Sequence, residues 1–339
     1  MKQAIMTEPG KIEFNDIPIG SPAAGQVLLR IQRIGVCGSD VHVYHGKHPY
    51  TSYPVVQGHE FSATVEAVGE GVQGIQPGMK VTTMPQIVCG VCAPCRRGDY
   101  HICDQLKVEG FQAPGCAQEF WIAEAAKVVH LPQGFSFEQG ALVEPVSVAV
   151  HAVARAGSMH DRRVMVFGAG PIGNLVAQVT RAQGARVLLS EVSNFRLEVA
   201  RKCGFEHLVN PTVESVKTAA ARVFGPDGFD VAFECVGVQA TIDDAINSIT
   251  KGGTIVVVGV FGDKPRVDLG LVQDRELNLR GTLMYKAEDY QQAVKLIDQG
   301  AIITEPLMSR HFSFDEYLQA YQFIDESRDK VMKVFIDIA

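Results

Sequence analysis

The stretch Val164-Met165-Val166-Phe167-Gly168-Ala169-Gly170-Pro171-Ile172-Gly173 decides the fold of this chain. Its first four residues are apolar, as a strand buried on both faces requires, and the glycines that follow predict a tight turn into a helix. Gly168 permits the turn, Gly170 lets a pyrophosphate approach the backbone, and Gly173 lets the helix pack close to the strand. The start of the helix then offers free N–H groups and a partial positive charge to phosphates.

A second predicted strand and an acidic residue strengthen this interpretation. Residues 185–190 read as a strand, and Glu191 follows it about 20 residues after the glycines, as a dinucleotide-binding fingerprint requires. An acid there accepts hydrogen bonds from the adenine ribose and repels a 2′-phosphate, which favours NAD over NADP. The alternatives are an ordinary strand-to-helix turn and a surface carboxylate at a strand end.

Strand and helix patterns alternate through the rest of this half of the chain. Further strands are predicted at 205–209, 229–235, 252–259 and 276–284, with helical patterns between them, for example at 239–249. Such alternation predicts an α/β fold with a doubly wound parallel sheet.

Length and composition bound the possible functions. The chain has 339 residues, enough for about two domains, and is 46% hydrophobic and 20% charged with a net charge of -7. The negative charge argues against a nucleic-acid partner. No apolar run approaches membrane-spanning length, and residues 1–5 lack the apolar core of a signal peptide. These features predict a cytoplasmic protein without a membrane or nucleic-acid partner.

Four of the eight cysteines form the strongest metal signal in the chain. Cys89, Cys92 and Cys95 are spaced by two residues each, and seven residues separate Cys95 from Cys103. Such spacings let one loop surround a tetrahedral ion with four thiolates, which closes the coordination sphere and predicts a structural zinc. Because no export signal is present, metal binding is favoured over disulfides. An iron–sulfur site and free thiols are the alternatives.

The N-terminal half also contains isolated candidate ligands. Residues 26–34 alternate as a half-buried strand does, and residues 63–81 suggest an antiparallel β-barrel-like body. Cys37 alone reads as a small buried hydrophobe, and His59 alone as a core histidine. Side chains of neighbours on a straight strand point to opposite faces, so His59 and Glu60 act together only across a bend, which Gly58 can supply.

Taken in order and at these separations, the motifs resemble those of the zinc-dependent medium-chain dehydrogenases, and the resemblance covers essentially the whole chain. It implies a discontinuous β-barrel-like (GroES-like) catalytic domain at residues 1–145 and 287–339, and a Rossmann NAD-binding domain at residues 146–286. It further implies an enzyme that transfers hydride between a small-molecule alcohol and NAD, with one catalytic and one structural zinc per chain. A homo-dimer or homo-tetramer is expected.

The resemblance assigns a catalytic zinc to Cys37 and His59. Glu60 matches a glutamate that ligates the metal in the polyol branch of the family, and Glu144 in the Glu-Pro pair resembles a second one in sorbitol dehydrogenase and its polyol relatives. We therefore expect one or both glutamates to complete the protein ligands, with water or substrate in the open position. For Glu144 the alternative is a charge that favours a helix N-terminus.

Other roles also come from the resemblance. Ser39 and His42 match the proton relay of the family. The expected cofactor contacts are Gly168, Gly170, Pro171, Ile172, Gly173, Glu191, Arg196, Val258, Val260, Leu283 and Tyr285.

The substrate is predicted to be a polyol or sugar alcohol, oxidised at a secondary hydroxyl. One departure from the family pattern argues against sorbitol itself as the substrate. Met284 in Gly281-Thr282-Leu283-Met284-Tyr285 stands where sorbitol-type enzymes have arginine. L-Threonine 3-dehydrogenase and butanediol-type dehydrogenase are the alternatives. Non-enzymatic lens proteins and zinc-free quinone reductases of related fold lose the metal ligands that this chain retains.

Overall fold

The computed structural model describes residues 1–339 and divides into two compact units. The first unit consists of residues 1–144, 286–298 and 308–339, and the second of residues 145–285 and 299–307. In chain order the strands are β1 (Lys2–Glu8), β2 (Lys11–Asp16), β3 (Gln26–Val36), β4 (Glu60–Val68), β5 (Lys80–Thr83), β6 (Gln86–Ile87), β7 (Lys107–Val108), β8 (Phe120–Glu124), β9 (Val128–His130), β10 (Arg163–Phe167), β11 (Arg186–Ser190), β12 (Leu208–Val209), β13 (Phe229–Glu234), β14 (Ile249–Val257), β15 (Asn278–Gly281), β16 (Met308–Ser313) and β17 (Lys333–Asp337).

The helices lie in both units, and one of them joins the two. They are α1 (Gly38–Tyr44), α2 (Ala93–Arg96), α3 (Phe137–Ala156), α4 (Pro171–Ala182), α5 (Asn194–Lys202), α6 (Val216–Phe224), α7 (Gln239–Ser248), α8 (Leu269–Asp274), α9 (Ala287–Asp298) and α10 (Tyr317–Ser327). No helix combines the length and the apolar character that a membrane crossing requires.

The second unit is built on the predicted parallel sheet. Its six strands lie in the order β12-β11-β10-β13-β14-β15, and every neighbouring pair is parallel. Residues 164–167 of β10 are wholly buried, as the apolar run predicted. The strand order reverses between β10 and β13, and ligands of such sheets bind where the strand order reverses. The expected Rossmann architecture is confirmed.

The first unit contains a seven-stranded, mainly antiparallel sheet. The strands follow the order β16-β17-β3-β4-β5-β9, and β8 pairs with β3. Long β3 is central: it pairs with β4, β8 and β17, and its residues Leu29, Ile31 and Ile34 lie in the hydrophobic core. This matches the GroES-like architecture expected for this part of the chain.

One segment differs from the sequence-based division. The sequence-based division places residues 287–339 whole in the first domain, whereas residues 299–307 pack with the second unit. The side chain of Gln178 on α4 explains the difference, because its Nε2 donates to Ile303 O at 3.2 Å and its Oε1 accepts from Ile303 N at 2.6 Å. These two hydrogen bonds fix the segment to α4.

Two predicted strands are shorter than expected. The strand predicted at 276–284 is reduced to β15, because Glu276 and Met284 have φ values of 49° and 51°, which an extended chain cannot adopt. The strand predicted at 205–209 is reduced to β12. The sheet order is unaffected by either change.

Candidate active site and metal centres

Cys37 lies where β3 ends and α1 begins. It is the residue before the first turn of α1, and its backbone N–H donates to Asp40 Oδ2 at 2.9 Å. A carboxylate that accepts the free N–H groups at a helix start stabilises that start. The thiol of Cys37 is therefore held at the end of a long core strand.

Gly58 supplies the bend that the pair His59-Glu60 needs. Its φ is 94°, and a Cβ there would lie 2.9 Å from Cys116 Sγ. Both facts exclude an L side chain without rearrangement. The turn leaves His59 and Glu60 buried at the start of β4, with 4% and 1% of their surface exposed.

Cys37, His59 and Glu60 form one cluster of potential metal ligands. Their sulfur, nitrogen and oxygen donor atoms all lie within 4.8 Å of one another. Zinc bonds of 2.0–2.3 Å hold tetrahedral ligands about 3.5 Å apart, so small side-chain movements bring these three atoms onto one ion. A thiolate, an imidazole and a carboxylate are a donor set that zinc accepts, and three protein ligands leave a fourth position open.

Asp40 and Gln57 support the cluster from behind. His59 Nδ1 lies 3.5 Å from Asp40 Oδ1, and Gln57 Nε2 donates to Asp40 O at 3.2 Å. Burial alone lowers the pKa of His59, but Asp40 and Cys37 outweigh it and hold the pKa well above its ordinary value. A metal binds only neutral imidazole, so metal binding at this site competes with protonation of His59.

Lys333 on β17 forms a buried ion pair with Glu60. Its Nζ donates to Glu60 Oε1 at 2.9 Å and Oε2 at 2.7 Å, and to Val36 O at 3.3 Å. Burial alone lowers the pKa of Lys333, but the charges of Glu60, Cys37 and Glu144 outweigh it, so its pKa is raised and the ammonium persists.

The remaining predicted residues of this site lie nearby in sequence or on α3. Glu144 is buried on α3, 5% exposed, but does not belong to the three-residue cluster. Its charge nevertheless contributes to the raised pKa of Lys333. Ser39 is half-buried and His42 is exposed, both on α1.

A cavity of about 410 Å³ in the first unit borders Phe111. The ring of Phe111 lies 4.8 Å from that of His59 and stacks at 4.8 Å on that of His48. Burial lowers the pKa of His48, and His42 adds to the effect. The other walls are mostly apolar and include Tyr50, Ser52, Pro54, Val55 and Gln112. No residue of the Cys37–His59–Glu60 cluster is among the walls of this cavity, and Phe111 is the contact between the two.

The four clustered cysteines converge as predicted. Cys103 Sγ lies 3.5 Å from Cys89 Sγ and 3.8 Å from Cys92 Sγ, close to the roughly 3.8 Å between sulfurs on a tetrahedral zinc. The sulfurs accept backbone N–H groups, with Cys89 N and Gln105 N each 3.3 Å from Cys103 Sγ. All four donor atoms lie within 4.8 Å of one another.

The thiols of this segment, residues 89–103, which we call the four-cysteine lobe, differ in acidity. Backbone N–H groups of Cys95 and Asp104 lower the pKa of Cys92 to about 6. Burial and the neighbouring thiols Cys92 and Cys103 raise the pKa of Cys95 to about 12. When thiols lie this close together, ionisation of one makes ionisation of the next less favourable. A bound cation removes this repulsion between thiolates, so the lobe fits a metal.

The glycine turn of the second unit has the predicted geometry. Gly168 has a φ of 89°, and a Cβ at Gly173 would lie 2.0 Å from Gly168 O. Both glycines are therefore required by the turn itself. A Cβ at Gly170 would meet only Arg196, at 3.7 Å, so the space over Gly170 is open. Pro171 and Ile172 follow as the first residues of α4.

Glu191 ties the turn to the end of β11. Its Oε2 accepts from Ala169 N at 2.9 Å, and its Oε1 accepts from Val192 N at 2.8 Å and Ser193 N at 2.9 Å. A carboxylate keeps further acceptor positions when each oxygen has accepted one or two hydrogen bonds. Ser193 caps α5, since its side chain accepts from Arg196 N.

Arg196 and Glu191 line a cavity of about 580 Å³ within the second unit. Arg196 Nη1 lies 3.9 Å from Glu191 Oε2, and its Nε is buried without a hydrogen-bond partner. Gly168, Gly170, Thr212 and Asp244 also line the cavity. A glycine turn, a helix start and an arginine donor around one cavity suit a dinucleotide.

The other expected cofactor contacts lie after β14 and β15. Val258 N and Gly259 N donate to Glu234 O at 2.8 Å each, which fixes this loop. Val260 and Leu283 are 75% and 53% exposed, whereas Tyr285 is wholly buried. Val260 and Leu283 are thus accessible to a ligand, and the ring of Tyr285 is part of the core.

Sequence reasoning missed three residues of the candidate active site. Asp40 and Phe111 stand beside His59, and Lys333 binds Glu60. Asp40 could have been found from its place three residues after Cys37, where a carboxylate caps the helix. Lys333 gave no signal, because it lies 273 residues from Glu60.

Comparisons with known proteins agree with this geometry. The alcohol dehydrogenase GroES-like domain model matches residues 23–133, and the zinc-binding dehydrogenase model matches residues 171–299. The 2-dehydro-3-deoxy-L-galactonate 5-dehydrogenase of Pseudoalteromonas atlantica is 39% identical over 85% of both chains. A sorbitol dehydrogenase of Halalkalibacterium halodurans is 31% identical over 96% of both. Among solved structures, a zinc-binding-dehydrogenase homologue from Sinorhizobium meliloti, bound to NADP, has a TM-score of 0.91 and 29% identity over 99% of both chains.

The matched domains, the two cysteine-containing clusters and the glycine turn all belong to one family. The identity to full-length dehydrogenases extends through both units. The chain is a member of the zinc-dependent medium-chain dehydrogenase family, in its polyol dehydrogenase branch.

Proposed function

We propose that this alcohol dehydrogenase oxidises a secondary hydroxyl of a polyol or sugar alcohol, using NAD and a zinc ion held by Cys37, His59 and Glu60. The observation that carries the proposal is the convergence of these three donor atoms within 4.8 Å of one another. Glu144, close enough to influence Lys333, is a candidate fourth group at this site. The lobe of Cys89, Cys92, Cys95 and Cys103 is proposed to hold a second, structural zinc.

The groups that bind to these residues supply the chemistry that amino acids lack. Zinc supplies Lewis acidity, which lowers the pKa of a bound hydroxyl toward neutrality, and NAD supplies the hydride acceptor. The chain's own contribution is to fix both partners and to accept the proton. The carboxylate of Asp40 lies 3.5 Å from His59 Nδ1 and places a negative charge behind the imidazole, and the buried position of the cluster keeps water away from the reacting carbon.

The proton of the hydroxyl requires a route to solvent. Ser39 is half-buried and His42 is exposed one turn further along α1, so the two residues lead outward from Cys37. We propose that Ser39 accepts the hydrogen bond of the substrate hydroxyl and that His42 passes the proton to water. An imidazole suits this task because its ordinary pKa lies near neutral pH.

NAD is proposed over NADP because of Glu191. Its carboxylate faces the cavity that Arg196 shares, and a second negative charge there would be repelled. The preference for NAD needs a test, because a structural relative is bound to NADP. We expect Glu191→Ala to lower the NAD-to-NADP ratio of kcat/KM by about 10- to 100-fold, the effect of losing hydrogen bonds to a charged group. An unchanged ratio would contradict the assignment of Glu191.

A polyhydroxylated acid is a second candidate substrate. The relative that is 39% identical bears the name of a dehydrogenase acting on 2-dehydro-3-deoxy-L-galactonate, a sugar-derived carboxylate. Met284, with a φ of 51°, stands where the arginine of sorbitol-type enzymes is expected, so the chain departs from those enzymes at this position. This difference favours an acyclic sugar derivative other than sorbitol.

The test is NADH formation across a matched panel. Polyols, aldonates and 3-deoxy sugar acids, L-threonine, butanediol and simple primary alcohols are offered with NAD and, separately, with NADP. Turnover of a polyol or sugar acid by the wild type, lost in Cys37→Ser, supports the proposal. Turnover of threonine or butanediol alone would contradict the proposed substrate class. It would not contradict the proposed metal site or cofactor.

We also propose a homo-oligomer. The edge strand β15 is exposed throughout and ends the parallel sheet on one side. An unpaired sheet edge is a ready template for pairing with a second copy. Light scattering coupled to size exclusion should show a dimer or tetramer, and a monomer would contradict this proposal.

A further inference from the structure

The cavity of about 580 Å³ in the second unit contains a carboxylate to which the proposed function gives no role. Asp244 on α7 lines this cavity, is half-buried, and forms no hydrogen bond or ion pair with the rest of the chain. Burial and the neighbouring Asp243 raise the pKa of Asp244, as expected for a carboxylate without a donor or cation beside it. A partly buried acceptor without a partner costs free energy, so its presence needs an explanation.

Asp244 shares one face of α7 with Ala240 and Thr241, because residues three and four apart lie on the same side of a helix. The hydroxyl of Thr241 already donates to Glu234 Oε1 at 2.8 Å. Ala240 offers only a methyl group. The carboxylate of Asp244 is therefore the one charged acceptor that α7 contributes to the cavity.

The walls of the cavity form three groups that match the three parts of the adenosine diphosphate half of NAD. Gly168 and Gly170 in the glycine turn suit the pyrophosphate. Glu191 at the end of β11 suits the ribose hydroxyls. The third group follows β12 and β13 and includes the face of α7: Pro211, Thr212, Cys235, Val236, Val238, Ala240, Thr241 and Asp244. When the pyrophosphate and the ribose occupy the first two groups, the third is the place left for the base.

This third group is mostly apolar, as the binding site of a planar base requires. Its two hydroxyl groups have already committed their protons, since Thr212 Oγ1 donates to Asn210 Oδ1 at 2.7 Å and Thr241 donates to Glu234. Asp244 supplies its only charge. The edge of a base that binds here therefore meets a carboxylate.

A carboxylate at this place distinguishes between purine bases. An ionised carboxylate accepts hydrogen bonds and donates none. Adenine has an amino group at carbon 6, which donates, whereas hypoxanthine has a carbonyl oxygen there, which only accepts. The carboxylate gains a charge-assisted hydrogen bond from the amino group, but it stays unpaired and is repelled when it meets the carbonyl oxygen.

We propose that Asp244 determines which base the dinucleotide carries, because its carboxylate accepts a hydrogen bond from the 6-amino group of adenine. This inference rests on the proposed function, which provides the dinucleotide. It adds a contact to the base that is independent of the choice between NAD and NADP, since that choice concerns the ribose beside Glu191.

The experiment measures dissociation constants of reduced dinucleotides on the full-length protein through their nicotinamide fluorescence, with no alcohol present. NADH is compared with reduced nicotinamide hypoxanthine dinucleotide, which differs from it only at carbon 6 of the base. NADPH and its hypoxanthine analogue form a second pair, so that the base is tested whichever ribose the protein prefers.

Asp244→Asn and Asp244→Ala are compared with the wild type. Asparagine has both an acceptor and a donor, so it can pair with either base, and alanine can pair with neither. Asp243→Asn is the matched control, because it removes the same charge from the adjacent position of α7. Asp243 is exposed, accepts from Gln239 Nε2 at 2.9 Å and does not line the cavity.

The wild type should bind the hypoxanthine dinucleotide about 10- to 100-fold more weakly than the adenine dinucleotide, the effect of losing a hydrogen bond to a charged group. In Asp244→Asn and Asp244→Ala the two dissociation constants should become nearly equal. Asp243→Asn should keep the ratio of the wild type.

Equal dissociation constants in the wild type would overturn the inference without the use of any variant. A wild-type ratio that persists in both Asp244 variants, or that is lost equally in Asp243→Asn, would also overturn it. Failure of the wild type to bind any of the four dinucleotides would overturn the proposed cofactor, and this inference with it. Tight binding of NADH without discrimination between the bases overturns only the inference.

Discussion

The two clusters of potential metal ligands in the first unit are built in opposite ways. The four-cysteine lobe takes all its donors from residues 89–103, and its sulfurs are supported by backbone N–H groups of the same loop. The cluster of Cys37, His59 and Glu60 joins the ends of two strands and is supported by buried side chains from elsewhere, among them Asp40 and Lys333. A site that only holds a metal can be one loop, whereas a site with an open position needs a rigid, buried frame.

Removal of an open-site ligand should produce the largest change in activity. We expect His59→Ala to lower kcat/KM by about 10³-fold or more, because the Lewis acid that it helps to hold contributes several kcal/mol to transition-state stabilisation. The melting temperature should change little by comparison, since the lobe is intact. NADH formation and thermal unfolding measured on the same preparation check this, with Cys203→Ala as a control for loss of a side chain elsewhere.

His59→Ala could instead lose as much stability as a variant of a four-cysteine ligand, or it could keep the wild-type rate of NADH formation. Either result would contradict the proposed difference between the two clusters. It would mean that the buried cluster serves the fold more than the reaction.

Removal of a ligand of the four-cysteine lobe should lower stability strongly and activity little. We expect Cys92→Ser to lower the melting temperature by roughly 10 °C, because a structural zinc contributes directly to folding free energy and a kcal/mol corresponds to a few degrees in a chain of this size. The fraction that remains folded at low temperature should keep most of its kcat. Differential scanning calorimetry gives the shift, and a variant as stable as the wild type would contradict a metal-holding lobe.

The support behind His59 should have an intermediate effect. Asp40→Asn keeps the size of the side chain but removes its charge, so the imidazole loses the carboxylate that lies 3.5 Å from its Nδ1. We expect a 10- to 100-fold loss in metal affinity or kcat/KM, the usual cost of losing such a partner. A chelator competition assay measures the affinity, and an effect below twofold would show that Asp40 only caps α1.

Surface ion pairs of the lobe should matter least. Lys286 Nζ lies 2.9 Å from Asp99 Oδ1, but both side chains are about one-third exposed. Lys286→Ala should therefore cost no more than about 1 kcal/mol and leave kcat unchanged. A large loss of stability in urea unfolding would show that ion pairs, as well as thiolates, hold the lobe in place.

The same contrast explains what the sequence could predict. The spacing of Cys89, Cys92, Cys95 and Cys103 is enough to predict the four-cysteine lobe, because all four residues lie within one short segment. The glycine turn at 168–173 likewise predicts the parallel sheet, because its pattern is local in sequence. Cys37 and His59 needed the resemblance to a family, since they meet only through the pairing of β3 with β4. Lys333 could not be predicted at all, because its partner lies 273 residues away and lysine is by default a surface residue.

Segment 299–307 packs with the second unit, which the sequence does not indicate, for a related reason. One glutamine side chain, that of Gln178, forms hydrogen bonds with both backbone groups of Ile303 in this segment. Hydrophobic periodicity gives no sign of such a side-chain to backbone contact. Local patterns therefore predicted the elements of the second unit, and tertiary hydrogen bonds decided which segments joined it.

The most direct test of two clusters with different tasks is a time course of zinc content and NADH formation in one sample dialysed against a chelator. The account predicts two zinc ions per chain at the start. It further predicts that the first ion leaves together with the activity while the protein stays folded, since three protein ligands hold it less firmly than four thiolates. Readdition of zinc should restore activity. Activity that persists after the first ion has left, or loss of both ions in a single step with unfolding, would contradict the account.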